Sequence, residues 1–178
     1  MVGNFIADRV KGTELFLYDK GIRTGILLHR KIDSFTDSHP MVEKSKKRLR
    51  PHFHKYSPVI VDVFYDHFLA VNWKIYHPLS LEEFTRNTYS ILEYHEHIFP
   101  ERIRRMFYFM KRENWLLSYQ SVDGIHRALT GMSRRTKFDS RLDEAASFLE
   151  RDYALYGAEF EIFIEDLKKI CDVVLQNH

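Results

Sequence analysis

A single cysteine, Cys171, stands in the 178 residues. No internal disulfide can form, and there is no Cys-x-x-Cys pair to hold zinc or run thiol exchange. Such scarcity points to a reducing, cytoplasmic setting. Glycine (7) and proline (5) together reach about half their usual share. That shortage of turn formers excludes an all-β sandwich and predicts few, long elements. No apolar run approaches the roughly 20 residues that span a bilayer, and the N-terminus lacks the basic-then-apolar layout of a signal peptide, so no membrane association is expected. Tryptophan occurs only twice. The abundant Phe and Tyr read as core, no stacking platform for nucleic acid is legible, and no Gly-rich phosphate loop is present.

What is there is helical. With 44% hydrophobic and 29% charged residues, the chain has the composition of one globular domain, expected over 1–178, and it is long enough to bury a core without staples. Leu142, Ala146, Leu149, Tyr153, Tyr156, Phe160, Phe163, Leu167, Ile170 and Val174 are spaced alternately by four and three, an apolar seam of helical period. A helix that long would overrun a compact domain, so a break near Gly157 is expected. Ser80 with Glu83 three residues on is a capping box opening a helix to about His97. Pro58 suits the first turn of a helix from Ser57 to Tyr76. Gly21 to Phe35 and Pro40 to Leu49 read as two helices parted at His39, because a residue before proline avoids helical geometry. Residues 100–113 and 121–132 complete an all-α, single compact multi-helix domain of seven or eight helices.

Polar residues recur where packed helices would have apolar ones: Asp8, His29, Arg30, Asp33, Thr36, Asp37, Asp62, Asp66 and His67. His29 and Asp33, four apart, lie about 40° from each other on one helical face, and Asp62 and Asp66 repeat that spacing. The second pair is embedded among Val59, Ile60, Val61, Val63, Phe64, Phe68 and Leu69, where an unpaired charge costs several kcal/mol, so something positive must face it. Two arrangements answer that need. One is a divalent cation held by imidazole and carboxylate groups from two helices, a donor set suited to manganese, iron or zinc. The other is a network in which Arg30 and a charged histidine neutralise the aspartates. His95 and His97 beside Glu93 and Glu96, and His52 and His54 in a basic stretch, read as solvated surface.

Charge is segregated. Residues 1–142 carry 24 basic and 16 acidic groups, and residues 143–178 carry 3 and 9. The basic groups form three clusters: Lys44, Lys46, Lys47, Arg48 and Arg50; Arg102, Arg104, Arg105, Lys111 and Arg112; and Arg134, Arg135, Lys137 and Arg141. Together they read as a surface for an acidic protein or a phosphate ligand.

The combination Gly3-Asn4-Phe5-Ile6-Ala7-Asp8 with Lys11-Gly12, then Gly25-Ile26-x-Leu28-His29-Arg30-x-Ile32-Asp33-x-x-Thr36-Asp37, then Asp62-x-x-x-Asp66-His67-Phe68-Leu69, resembles the acyl carrier protein phosphodiesterase family. Trp115 to Tyr119 and Leu129-x-Gly131-Met132 with Arg134 or Arg135 extend the likeness over most of the chain. That family is similar to the metal-dependent HD-domain phosphohydrolases. The resemblance implies an HD-like all-helical fold and manganese-dependent removal of the 4′-phosphopantetheine arm from holo-acyl carrier protein. It maps an acidic and histidine site onto Asp8, His29, Asp33, Asp62, Asp66 and His67 without settling individual roles, and Asp66-His67 reverses the His-Asp order of the HD group; Asp8, His29, Asp33, Asp66 and His67 are the expected metal ligands. The family pattern usually opens with a short segment containing Asn-x-Leu-Ala-His, so the resemblance also implies a histidine that residues 1–178 do not supply.

On this reading Asp62 is the expected base and Arg30 offers paired donors to the phosphate. Lys47, Arg48, Arg50, Arg134 and Arg135 are expected to dock the acidic carrier. The alternatives are a related hydrolase of a nucleotide or another small phosphodiester, and a helical module that binds acidic proteins without catalysis.

Overall fold

Side-chain caps open α-helices at His39, Ser80 and Ser121. The Ser80 Oγ accepts from the Glu83 N–H at 3.2 Å while the Glu83 carboxylate accepts from the Ser80 N–H at 3.1 Å, the reciprocal pair read from the sequence. His39 is extended, as its position before Pro40 requires, and its Nδ1 accepts from the Met41 N–H. In this computed structural model, which describes residues 1–176, the helices are α1 Val2–Ile6, α2 Lys20–Ser38, α3 Pro40–Phe53, α4 Ser57–Val71, α5 Trp73–Tyr76, α6 Leu81–Tyr94, α7 Glu101–Arg112, α8 Trp115–Ser118, α9 Val122–Ser133, α10 Ala145–Arg151 and α11 Tyr153–Gln176. Seven of them have twelve residues or more, and there is no strand among the described residues, so the all-α expectation holds.

Two expected boundaries differ. The helix expected over Ser57–Tyr76 stops at Val71, where the Phe68 carbonyl accepts both the Asn72 N–H at 3.1 Å and the Asn72 side-chain amide at 2.9 Å, and the chain restarts as α5 at Trp73. The long C-terminal seam breaks at Asp152, not near Gly157. Gly157 instead lies inside α11, where an added Cβ would sit 3.2 Å from the Phe68 ring, so it serves the close approach of α11 to α4. The 24 residues of α11 then run about 36 Å.

Two apolar clusters form the interior. The larger joins Val42 and Leu49 of α3, Phe64 and Phe68 of α4, Leu129 of α9, Leu149 of α10 and Tyr156 and Phe160 of α11. The smaller joins Ile6 of α1, Ile26 of α2, Leu92 of α6 and Phe107 of α7. A charged knot lies between α3 and α11. Glu159, 2% exposed, takes a fork of bonds from Arg48 at 2.6 and 3.0 Å and one from the Ser45 hydroxyl. Arg48 also stacks over Tyr156. Arg48 was expected at a docking surface; it is instead committed inward, because a buried carboxylate without its partner is costly. Arg48→Met is expected to lower the unfolding free energy by about 3 kcal/mol, the low end for a broken buried pair, since Lys44 stays 3.4 Å from Glu159. Urea denaturation checks this.

Candidate metal centre

Glycine decides how close α1 and α2 come. A Cβ on Gly3 would lie 1.9 Å from the Ile22 carbonyl oxygen, and one on Gly25 would lie 3.0 Å from the Asn4 nitrogen. The two backbones therefore touch, and that contact carries Asn4 and Asp8 to the side of α2 that presents His29 and Asp33. The His29 Nδ1–H donates to the Asn4 Oδ1 at 2.8 Å. This leaves Nε2 facing Asp8 Oδ1 at 3.1 Å and Asp33 Oδ2 at 3.0 Å. One donor atom from each of Asp8, His29 and Asp33 falls within 4.8 Å of the others. Imidazole nitrogen with two carboxylates is a donor set for a divalent transition metal, and a hydrogen bond that fixes the ring from its far nitrogen is the usual support for such a ligand. The residues present fit a cation.

Gly3→Ala is expected to force α1 off α2 by about 1 Å and to lower activity about a hundredfold, the usual cost of that misplacement. The fold should be retained in circular dichroism, and a variant with parental activity would show that the crossing does not position the site.

The triad is one end of a cleft of about 790 Å³. Asp37, Asp62 and Asp66 also line it, and Phe160, Phe163, Ile164 and Leu167 of α11 add apolar surface. Burial is the main cause that pushes the Asp62 carboxyl up to about 6; the Lys46 ammonium opposes the shift, and Asp37 and Asp33 add to it. Asp66 rises to about 7, through its surroundings first and the charge of Asp62 second. Both residues are nevertheless exposed. Each carboxyl opens onto the cleft while protein packs around the rest of it, which raises the cost of ionisation without sealing the group from solvent. Asp33 is also raised, by burial first, with His29 pulling it back.

The expected positive group is thus partly a lysine. Lys46, read from the sequence as part of a surface cluster, is 5% exposed, with its ammonium 3.4 Å from Asp37. No basic side chain among the described residues offsets the charge of Asp66. Arg30 lies elsewhere: it donates to the Val10 carbonyl at 2.7 Å and braces the loop after Asp8. His67 is turned away as well. Its Nδ1–H donates to the Tyr119 carbonyl at 2.8 Å, its Nε2 accepts from the Tyr153 hydroxyl at 2.9 Å, and it is 2% exposed. Neighbours on a helix point about 100° apart, so with Asp66 on the cleft His67 faces the core. Burial holds its pKa down. The structure therefore gathers Asp8, His29, Asp33, Asp62 and Asp66 and leaves Arg30 and His67 outside. Sequence reasoning missed Asn4 as the residue that orients His29; its place beside Gly3, at the helix crossing, was the available signal.

The description "Acyl carrier protein phosphodiesterase" belongs to the family that matches residues 1–167. The chain belongs to that family. It is 33% identical to the acyl carrier protein phosphodiesterase of Photorhabdus laumondii over 90% of its own length and 81% of the relative's. It is 36% identical to that of Enterobacter sp. strain 638 over 79% and 74%, and 32% identical to that of Klebsiella pneumoniae strain 342 over 96% and 89%. No solved structure matches. Among the described residues no helix is long and apolar enough to cross a membrane. Of the basic residues expected to meet the carrier, Lys47, Arg50, Arg134 and Arg135 are exposed, and Arg50 is paired with Glu43 at 2.6 Å.

Proposed function

We propose that this acyl carrier protein phosphodiesterase family member hydrolyses the phosphodiester that joins 4′-phosphopantetheine to the serine of holo-acyl carrier protein, giving the apo-protein and 4′-phosphopantetheine. The observation that carries this reading is the convergence of Asp8, His29 and Asp33 at one end of a cleft that also holds two carboxyls with raised pKa. Asp8, His29 and Asp33 would hold the cation, for which manganese suits the mixed donors and iron or zinc are the rivals. Such an ion supplies Lewis acidity to a phosphoryl oxygen and lowers the pKa of water.

The chain's own groups do the rest. Asn4 fixes the His29 tautomer. Asp62, ionised above about pH 6, takes a proton from the attacking water. Oxygen from that water bonds to phosphorus as the bond to the seryl oxygen breaks, and Asp66, protonated below about pH 7, returns a proton to that oxygen. Two carboxyls with different pKa values on one cleft divide base and acid work in this way. Lys46 keeps Asp62 ionisable. Lys47, Arg134 and Arg135 supply positive charge for an acidic carrier, a contact that added salt should weaken.

The test is incubation of the chain with holo-acyl carrier protein and manganese, read by intact mass. Loss of the arm at a rate that falls with chelator is the expected result. An unchanged carrier, while small phosphodiesters are cleaved under the same conditions, would move the reading to the rival hydrolase. Binding of the carrier with no hydrolysis of either would leave only the binding module.

A further inference from the structure

Two stretches in the family-like pattern play no part in the cleft: Trp115 to Tyr119, and Leu129-x-Gly131-Met132 with the arginines after it. They meet at a second cavity of about 420 Å³, walled by Phe109, Trp115, Tyr119 and Met132. Its size is that of a small-molecule site. Arg127 and Arg135 also line it. Both are exposed, and among the described residues neither guanidinium has a carboxylate partner within salt-bridge distance. Arg135 lies over the Trp115 ring at 5.8 Å.

Two of the other polar lining groups, Glu113 and Ser118, are engaged by the protein, and Glu113 also feels the charge of Arg135. Glu113 accepts from the Trp115 indole N–H and from Arg112, and the Ser118 hydroxyl donates to the Trp115 carbonyl. A ligand with amides or hydroxyls along its length would lose their hydration here for few partners. Hydrocarbon with charge at one end suits the walls and the two arginines. Gly131 adds an independent observation. It sits inside α9, where glycine weakens a helix, and a Cβ there would meet nothing within 4 Å. No packing contact needs that space; it belongs to the cavity. Gly124 on the same helix differs, since its Cβ would clash with the Ser118 carbonyl at 1.8 Å.

We infer that this cavity is a binding site for an amphiphilic anion, an alkyl chain whose carboxylate is held by Arg127 and Arg135. The site is separate from the acidic cleft and requires no metal, so the inference goes beyond the phosphodiesterase reading and does not depend on it.

Dodecanoate, below its micelle-forming concentration, is titrated into the full chain carrying Trp73→Phe with chelator present, and Trp115 emission is followed. A saturable change is expected. Gly131→Leu should abolish it while melting no lower than its parent, and Ala128→Leu, on the same wall, is the second plug. Joint Arg127→Gln and Arg135→Gln should weaken dodecanoate at least tenfold and leave dodecanol unaffected. The inference is overturned by absence of saturation, by plugged variants that fold and bind as the parent does, or by dodecanoate affinity indifferent to the arginines. Since no metal is present, none of these outcomes bears on hydrolysis.

Discussion

His29→Ala is expected to abolish metal-dependent hydrolysis, lowering kcat/KM by about a thousandfold or more, because a cation at a reacting phosphoryl group stabilises the transition state by several kcal/mol. The ring is central to the triad: one nitrogen faces both carboxylates at 3.0 and 3.1 Å, and the other is tied to Asn4. Without it Asp8 and Asp33 remain as two like charges, both more than half exposed, with no nitrogen donor. Purified protein should lose manganese by elemental analysis, and manganese should no longer raise its melting temperature, since ligand stabilisation scales with affinity. Asn4→Ala is the graded companion. It keeps all three ligands and frees the ring, so metal affinity should fall about tenfold to a hundredfold. In the competing arrangement a protonated His29 simply bridges two aspartates. There, His29→Ala would cost stability and leave the response to manganese as it was, and that outcome would remove the cation from this triad.

The triad was half legible before the structure. His29 and Asp33 share a helical face at four-residue spacing, a local relation that periodicity carries. Asp8 reaches them only because Gly3 and Gly25 let two backbones touch, a relation that no spacing along the chain encodes. The same distinction separates the other readings. The seam from Leu142 to Val174 shows in its period, and its buried members include Leu149, Tyr156, Phe160 and Phe163. Its break at Asp152 is a local turn of the backbone that the apolar pattern does not register. Lys46 and Arg48 read as surface because they sit in a basic run. Both point inward, drawn by Asp37 on another helix and by Glu159 more than a hundred residues away. His67 enters the expected site through the family resemblance, yet the helix turns it toward Tyr119 and Tyr153. Which partner a polar side chain finds is a tertiary fact that its neighbours in the chain do not encode.

Asp66→Asn should separate stability from activity. In the metal-free chain the Asp66 carboxyl is raised to about 7 from an ordinary value of 3.8, by its surroundings and then by Asp62. The folded state therefore binds more protons than the unfolded state between those two values. The stability that this group contributes is complete below about pH 4 and is lost as pH rises through about 7, and Asp62 adds a loss of the same sign through about 6. A shift of that size would correspond to about 4 kcal/mol for a sealed group, and cleft water reduces it to about 1–2 kcal/mol. Metal-free Asp66→Asn should accordingly be more stable than the parent at pH 8 by that amount, with the gap closing toward pH 4. Urea midpoints across the pH series measure it. Hydrolysis should fall about a thousandfold, within the range for a lost proton donor, and the rate of the parent should decline below about pH 6 as Asp62 protonates. An asparagine variant that hydrolyses normally would deny Asp66 the acid role. One that is no more stable at pH 8 would mean the carboxylate is ionised without cost, and the cleft would then carry no built-in demand for a cation.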